Sequence, residues 1–315
     1  MRCLTALATW LLALCLGTPA QAQPLPQPAT GRIERLASQP SQFVDARHVD
    51  VWLPDGYAQA VAAGQRFAVL YMHDGQMLFD ASTTWNKLAW RADVALSGLM
   101  QAGRIQPTII VGIWNNGPWR HSEYFPQKWL PGLPAAVRER FTREDLRGKP
   151  QADAYLKFVV QELKPLIDAR YATLPDRAHT FVAGSSMGGL ISVYAMSEYP
   201  QVFGGAAGLS THWIGHYPPS ADIPLAAWAY LRDHLPEPAT HRLYQDHGTT
   251  ELDAVYAPFQ LIVNQVARDR GYTDQGLQAN FMTRVFEGTG HNETDWAIRL
   301  VQPLEFLLSR ERPLR

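Results

Sequence analysis

Strand-like apolar runs alternate with helix-like patterns along most of the chain. Residues 66–72 (RFAVLYM) and 107–114 (PTIIVGIW) are continuous apolar runs bounded by turn signals, which is typical of strands covered on both faces. Residues 152–171 instead space their apolar side chains three and four apart, which predicts a helix. Because this alternation continues toward the C-terminus, it predicts an α/β fold with a mainly parallel central sheet and helices on both faces.

The remaining elements follow the same logic. Residues 47–54 (RHVDVWLP) alternate polar and apolar side chains, which predicts a half-buried edge strand. Residues 114–150 are predicted as one long loop rich in Trp, Pro and Arg, and loops of that length are often functional. Further strands are predicted at 179–184, 203–210, 241–246 and 280–288, and further helices at 187–200, 224–234, 254–270 and 296–310.

The first 22 residues have the composition of a secretory signal peptide. One Arg precedes an apolar run, and the small-residue sequence AQA predicts cleavage after Ala22, hence a periplasmic or secreted protein. Both cysteines, Cys3 and Cys15, lie within this segment. The mature chain is therefore expected to have no disulfide, no cysteine metal site and no cysteine nucleophile.

The rest of the chain is predicted to be a Pro-rich lead-in at 23–40, disordered over 23–31, followed by a single domain at 41–315. The formal net charge of −1 gives no electrostatic basis for binding nucleic acid. No segment outside the signal peptide approaches the length of about 18 apolar residues that suggests a membrane span.

A Gly- and Ser-rich turn joins a predicted strand to a predicted helix at residues 180–192 (TFVAGSSMGGLIS). The pattern G-x-S-x-G fits only residues 184–188, which puts Ser186 at its centre. In a nucleophile elbow the glycines allow the close backbone contacts that a strained central serine requires. We therefore predict that Ser186 is a nucleophile and that the Met187 N–H donates to a developing oxyanion. The alternative is a plain Gly-rich turn.

A serine nucleophile needs a base, and the base needs an orienting acid, in the chain order Ser, acid, His. His291 is the only later histidine that follows the last predicted strand and precedes the last predicted helix. The loop after the penultimate strand contains Asp246, Glu251 and Asp253. We prefer Glu251 as the acid and keep Asp253 as the alternate, since Asp246 closes the strand itself.

A second oxyanion donor is expected after an earlier central strand. Residues 69–80 (VLYMHDGQMLFD) run from an apolar strand into a sharp turn at Gly75, which leaves the Gln76 N–H available. Each such donor contributes about 3 kcal/mol to stabilising the transition state. His73 is expected to brace this loop rather than act as a base.

Six motifs in order resemble one known family. They are YMHDGQMLFD, VGIWNNGPWRHSEY, ELKPLIDARY, GSSMGGLISVYAMSEYPQVFGG, DHGTTELD and GHNETDW, and the resemblance runs from about residue 45 to 308. The family is the "putative esterase" group of the esterase D type within the α/β-hydrolases. It is similar to ferric enterobactin esterases, feruloyl esterases and mycolyltransferase antigens.

The resemblance implies an α/β-hydrolase fold and no metal or organic cofactor. Its GTxE motif points to Glu251 as the acid, while the variation among relatives in this loop leaves Asp253 open. It also implies a nucleophile at Ser186, a base at His291, and oxyanion donors at Gln76 and Met187.

Other candidates have weaker chemistry. The sequence HWIGH (212–216) has two histidines at helical spacing but no third ligand, so a metal site is disfavoured and Trp213 is expected to form a substrate wall. Arg120 is expected to pair with Glu123, with contact to an anionic substrate as the alternative. Trp296 is expected to pack the last helix against the loop of His291.

These observations predict an exported serine esterase that acts on small-molecule or polysaccharide-linked esters through an acyl-enzyme. An acyltransferase on the same fold and a non-catalytic binding protein remain alternatives.

Overall fold

The computed structural model describes residues 23–276 and 279–310, so the predicted signal peptide lies outside the described residues. Eight strands form one sheet. In chain order they are β1 (Arg32–Gln39), β2 (Arg47–Leu53), β3 (Ala68–His73), β4 (Thr108–Ile113), β5 (Thr180–Ser185), β6 (Gly205–Leu209), β7 (Arg242–Gly248) and β8 (Phe281–Phe286).

Helices connect most of these strands. They are α1 (Tyr57–Ala62), α2 (Ala92–Gln101), α3 (Arg120–Tyr124), α4 (Ala135–Glu144), α5 (Ala152–Lys157), α6 (Lys164–Arg170), α7 (Met187–Glu198), α8 (Asp222–His234), α9 (Ala257–Asp269), α10 (Glu293–Arg299) and α11 (Val301–Leu308). A π-helical stretch, Phe158–Leu163, joins α5 to α6 into the one long helix predicted there.

The sheet order is β1-β2-β4-β3-β5-β6-β7-β8. Strand β2 runs antiparallel to both of its neighbours, and all other adjacent pairs are parallel. The prediction of a mainly parallel sheet is confirmed. In such a sheet, ligands bind beyond the carboxyl ends of the strands.

Two predictions near the N-terminus are wrong. Residues 47–54 do not form the edge, because β1 pairs with β2 on its outer side and Trp52 is completely buried. The predicted domain start at residue 41 is also too late, since β1 belongs to the sheet. Residues 23–31 are attached as well: the main-chain N–H groups of Ala29 and Thr30 donate to the carboxylate of Asp93 on α2.

Alternate residues of the strands enter two separate hydrophobic cores. On β3, Val69 and Tyr71 pack into the first core, and Leu70 and Met72 pack into the second. Residues of α1 and of α3 to α9 contribute to the first core, whereas residues of α2, α10 and α11 contribute to the second. Helices therefore cover both faces of the sheet, which explains the continuous apolar strands.

Two helix predictions differ in detail. Residues 114–150 are not an unstructured loop, since they contain α3 and α4. The last predicted helix is divided into α10 and α11 at Leu300.

Candidate active site

Ser186 occupies a strained turn between β5 and α7. Its φ of 56° and ψ of −122° are rare for any residue with a side chain. A Cβ at Gly184 would lie 2.7 Å from the carbonyl carbon and oxygen of Gly188, so only glycine fits there. The Ser186 N–H donates to the Leu209 carbonyl oxygen at the end of β6. The predicted nucleophile is thus held at the carboxyl edge of the sheet.

The two predicted oxyanion donors lie at the starts of helical segments. Met187 is the first residue of α7, and Gln76 lies in the 3₁₀ helix Gly75–Met77 after β3. The first N–H groups of a helix have no partner within it. A Cβ on Gly75 would come within 2.4 Å of the Gly112 carbonyl carbon, so this turn packs tightly against β4.

Arg120 clamps the turn that carries Gln76. Its Nε and one terminal nitrogen each donate to the Asp74 carboxylate at 2.7 Å, and Asn115 Nδ2 donates to the same group at 2.7 Å. Burial alone would raise the pKa of Asp74, but Arg120 and these hydrogen bonds hold it below its usual value. The Asn115 N–H also donates to the Gln76 side chain at 3.2 Å.

The expected pairing of Arg120 with Glu123 is wrong. Glu123 instead accepts two hydrogen bonds of 2.7 Å from Arg47, and both side chains are buried. Arg120 forms a bidentate ion pair with Asp74. This geometry favours a role in supporting the turn over contact with an anionic substrate.

Asp253 contacts the ring of His291. The distance between Asp253 Oδ1 and His291 Nδ1 is 2.6 Å, and the Asp253 side chain is fully buried. Asp253 Oδ2 also accepts hydrogen bonds from Ser210 Oγ at 2.5 Å and from the Gly248 N–H at 2.6 Å. Burial would raise the pKa of Asp253, but the bonds from His291 and Ser210 lower it overall. The carboxylate is therefore ionised and orients the imidazole.

Glu251 contacts the main chain of His291 and not its ring. Its Oε2 accepts a hydrogen bond of 2.7 Å from the His291 N–H and one of 3.3 Å from Asn292 Nδ2. The preference for Glu251 as the acid is thus not supported by this geometry, which favours the alternate, Asp253. The two acids lie in the 3₁₀ helix Glu251–Val255, which directs them to different sides of the loop.

Tyr256 links the two halves of the site. Its hydroxyl group lies 2.5 Å from Nδ1 of His212, and the nearby Ser186 side chain slightly offsets the rise that burial causes in the pKa of Tyr256. Its ring packs edge-on against His291 with the ring centroids 5.7 Å apart. Sequence analysis missed Tyr256, because nothing in the sequence distinguishes it among 12 tyrosines except its position three residues after Asp253.

Comparison with known proteins identifies the family of the chain. The family model described as "Putative esterase" matches residues 41–307. The chain belongs to this esterase family. It is accordingly a carboxylic ester hydrolase, and its sheet is that of the α/β-hydrolase fold.

Three similar proteins illustrate the match. The esterase is 24% identical to the uncharacterized protein YbbA of Bacillus subtilis (strain 168) over 273 residues, 84% of this chain and 94% of YbbA. A solved ferulic acid esterase has a TM-score of 0.63 at 19% identity, covering 88% of this chain and 98% of that one. The enterobactin esterase FES from Shigella flexneri, solved in the presence of enterobactin, has a TM-score of 0.62 at 17% identity, covering 90% and 60%. At these identities the solved structures show the fold alone.

Two further predicted residues of the esterase are buried. His73 Nδ1 lies 2.8 Å from the Tyr155 hydroxyl, and burial lowers the pKa of His73 to about 3, so the ring is neutral and braces its loop as expected. Trp213 is also fully buried, stacks on Trp129 and donates to Gln260 Oε1. This burial does not support a substrate wall formed by Trp213.

Trp296 packs as predicted, with its ring centroid 5.1 Å from that of His291. Within the described ranges, no group of three or more His, Cys, Asp or Glu side chains could hold a metal ion. None of the helices described there is long and apolar enough to cross a membrane.

Proposed function

We propose that this esterase is exported and hydrolyses carboxylic esters by a serine mechanism. Ser186 acts as nucleophile, His291 as general base and Asp253 as the acid that orients His291. The N–H groups of Gln76 and Met187 stabilise the oxyanion.

One observation carries the proposal: the 2.6 Å contact between His291 Nδ1 and Asp253 Oδ1. An ionised carboxylate can only accept, so Nδ1 must carry the ring proton. Nε2 is then left with a free lone pair, which is the form that a general base requires. The strained backbone of Ser186 and its shared neighbour Tyr256 support the pairing of this base with the Ser186 hydroxyl.

The reaction proceeds in two halves. His291 Nε2 takes the Ser186 hydroxyl proton as Oγ bonds to the ester carbonyl carbon, and the carbonyl oxygen becomes negative. When the intermediate collapses, the bond to the alcohol oxygen breaks and the imidazolium gives that oxygen its proton. Water then repeats the sequence on the acyl-enzyme: His291 removes its proton, the acid is released and Ser186 recovers its hydrogen.

The site stabilises both charges that form. The negative charge of the tetrahedral intermediate lies beside the two N–H groups, and at Met187 the dipole of α7 also favours an anion. The positive charge of the imidazolium lies beside Asp253. The two N–H donors and the Asp253 carboxylate are held in place before the reaction, so little reorganisation of the protein accompanies catalysis.

The test compares Ser186→Ala with Ser185→Ala, a matched control one residue away whose side chain is buried. We expect Ser186→Ala to lower kcat for p-nitrophenyl acetate by about 10⁴-fold or more, and to abolish labelling by a fluorophosphonate. Ser185→Ala should retain both. Wild-type turnover by folded Ser186→Ala would overturn the proposal.

The substrate proposal rests on the relatives. Solved neighbours are described as a ferulic acid esterase and an enterobactin esterase, so we propose small-molecule or polysaccharide-linked esters as substrates. A panel of p-nitrophenyl acetate and butyrate, methyl ferulate, feruloylated polysaccharide and enterobactin would rank these classes by kcat/KM. Release of the free acid is expected. New esters formed with added sugar alcohols would indicate acyl transfer instead.

Export is proposed from the composition of residues 1–22. Mass analysis of protein from the periplasm or the medium should find a chain that begins at Gln23. An intact chain that begins at Met1 and stays with the cytosolic fraction would contradict export.

A further inference from the structure

A second buried carboxylate lies behind the predicted acid. Asp246, two residues before the end of β7, is completely buried and pairs with Arg299 of α10 at 3.2 Å. The same Arg299 nitrogen lies 3.7 Å from Asp253 Oδ2. Ser210 Oγ sits between the groups: it accepts from Arg299 at 2.5 Å and from Trp296 Nε1 at 2.9 Å, and donates to Asp253.

The charges of this cluster do not cancel. Asp246 and Asp253 are two buried carboxylates that share one buried guanidinium, so the three side chains together carry one net negative charge when all are ionised. Arg299 is closer to Asp246, and only Asp253 contacts His291. The unmatched negative charge therefore lies next to the imidazole.

Asp246 is bound as an anion would be. The Ser210 N–H donates to its Oδ1 at 3.1 Å, and the Tyr244 hydroxyl donates to its Oδ2 at 2.8 Å. Burial raises the pKa of Asp246 to about 6, although Arg299 and these donors oppose the rise. At neutral pH Asp246 is therefore ionised.

We propose that Asp246 is a positioning residue: it holds Arg299 and so leaves the negative charge of Asp253 uncompensated next to His291. This inference rests on the proposed function. If Asp246 lost its charge, Arg299 would have Asp253 as its remaining charged partner in the cluster, and the net charge would fall to zero. The imidazolium that forms when His291 takes the serine proton would then be less stable, and turnover would slow.

Other titratable groups also surround His291. Glu251 accepts from the main-chain N–H of His291, and Asp295 accepts from the N–H of Gly290. The Tyr256 ring packs against the His291 ring, and His212 is close enough to interact with it electrostatically. All four remain unchanged in the variants below, so a shift in the pH profile can be assigned to the cluster.

The decisive variant is Asp246→Asn, which removes the charge and keeps the shape. Its Oδ1 can still accept from Ser210 and Arg299, and its amide can donate to Tyr244, whose hydroxyl can also accept. We expect kcat for p-nitrophenyl acetate to fall about tenfold. The acidic limb of the kcat/KM profile, which reports the general base, should move about 0.5–1 pH unit lower.

The double variant Asp246→Asn/Arg299→Met separates electrostatics from packing. It removes the competing positive charge, so Asp253 again carries one unmatched negative charge. The acidic limb should return to within about 0.2 pH unit of the wild-type position, even though stability falls further. If this double variant does not fold, Asp246→Asn and its control decide alone.

The matched control is Asp50→Asn. Asp50 is a completely buried aspartate on β2 that pairs with Arg35 at 2.7 Å. Strand β2 lies near the opposite edge of the sheet from β7. It should lose stability without moving the acidic limb. An unmoved limb in Asp246→Asn, or an equal shift in Asp50→Asn, would overturn the inference. If Ser186→Ala is inactive in the same assay, that outcome leaves the proposed function standing.

Discussion

Two buried carboxylates stand on opposite sides of the site, and their partners differ. Asp74, at the start of the turn that carries the predicted oxyanion donor Gln76, accepts two hydrogen bonds of 2.7 Å from the guanidinium of Arg120. Asp253, beside the proposed base, is bound by the neutral Ser210 hydroxyl and Gly248 N–H and by His291. Its one guanidinium neighbour, Arg299, lies farther away at 3.7 Å and is closer to Asp246.

The difference separates a structural carboxylate from an electrostatic one. A guanidinium that binds a carboxylate at two points cancels its charge and fixes its position, so Asp74 can hold the turn but cannot stabilise a new cation. Neutral donors solvate Asp253 without cancelling its charge. In the proposed mechanism, that charge remains available when the imidazole of His291 becomes positive.

The largest effect is expected from Asp253→Asn. An amide at this position no longer selects the tautomer with a free Nε2, so kcat for p-nitrophenyl acetate should fall about 10³–10⁴-fold. Glu251→Gln is the matched comparison, since a glutamine oxygen can still accept from the His291 N–H and the loss should be only a few-fold. The reverse ranking in steady-state assays would reassign the acid to Glu251.

The next effect tests the structural carboxylate. Arg120→Met leaves Asp74 buried without its cation, which should cost about 3 kcal/mol of the free energy of unfolding and loosen the turn of Gln76. We expect kcat to fall about 10²-fold as one oxyanion donor is displaced. Urea unfolding and steady-state kinetics measure the two losses separately.

Arg47→Met is the control for that experiment. It breaks the buried, two-point pair with Glu123 on the same helix as Arg120 and should cost similar stability. Folded Arg47→Met should keep a kcat near that of the wild type. If both variants lose kcat equally, Arg120 has no special connection with the oxyanion turn.

The smallest effect is on the free energy of unfolding. It compares one buried histidine from each side of the site, His73 next to Asp74 and His212 near His291. Burial lowers the pKa of both His73 and His212 to about 3, from an ordinary value of 6.5. Between these values the unfolded chain binds protons that the folded chain does not, so stability falls as the pH drops below about 6.5. From pH 7.5 to 5, each histidine should cost about 2 kcal/mol of the free energy of unfolding.

His73→Gln and His212→Gln should each reduce that acid sensitivity by about one half of the combined effect. Urea denaturation at the two pH values measures it. A variant that keeps the full pH dependence would show that its histidine is protonated in the folded chain.

Much of this protein could be predicted because the signals are local. Continuous apolar runs reveal buried parallel strands, and the glycines around Ser186 meet a steric demand within five residues of chain. The turn at Gly75 is local for the same reason. The prediction of a separate lead-in at residues 23–40 failed because the structure of this segment depends on distant partners. Strand β1 pairs with β2, and Asp93 on α2 binds the main chain of the segment that precedes β1.

The chain itself therefore determined the sheet, the strained serine and the set of acids from which one could serve His291. The tertiary structure is what favours Asp253 among those acids. Pairing of β7 with β8 along Leu243–Gly248 brings the two following loops together, and the 3₁₀ helix at Glu251–Val255 then turns Asp253 toward the ring and Glu251 toward the main chain. Residues two apart have the same charge and similar reach, so only contacts between distant segments could distinguish them.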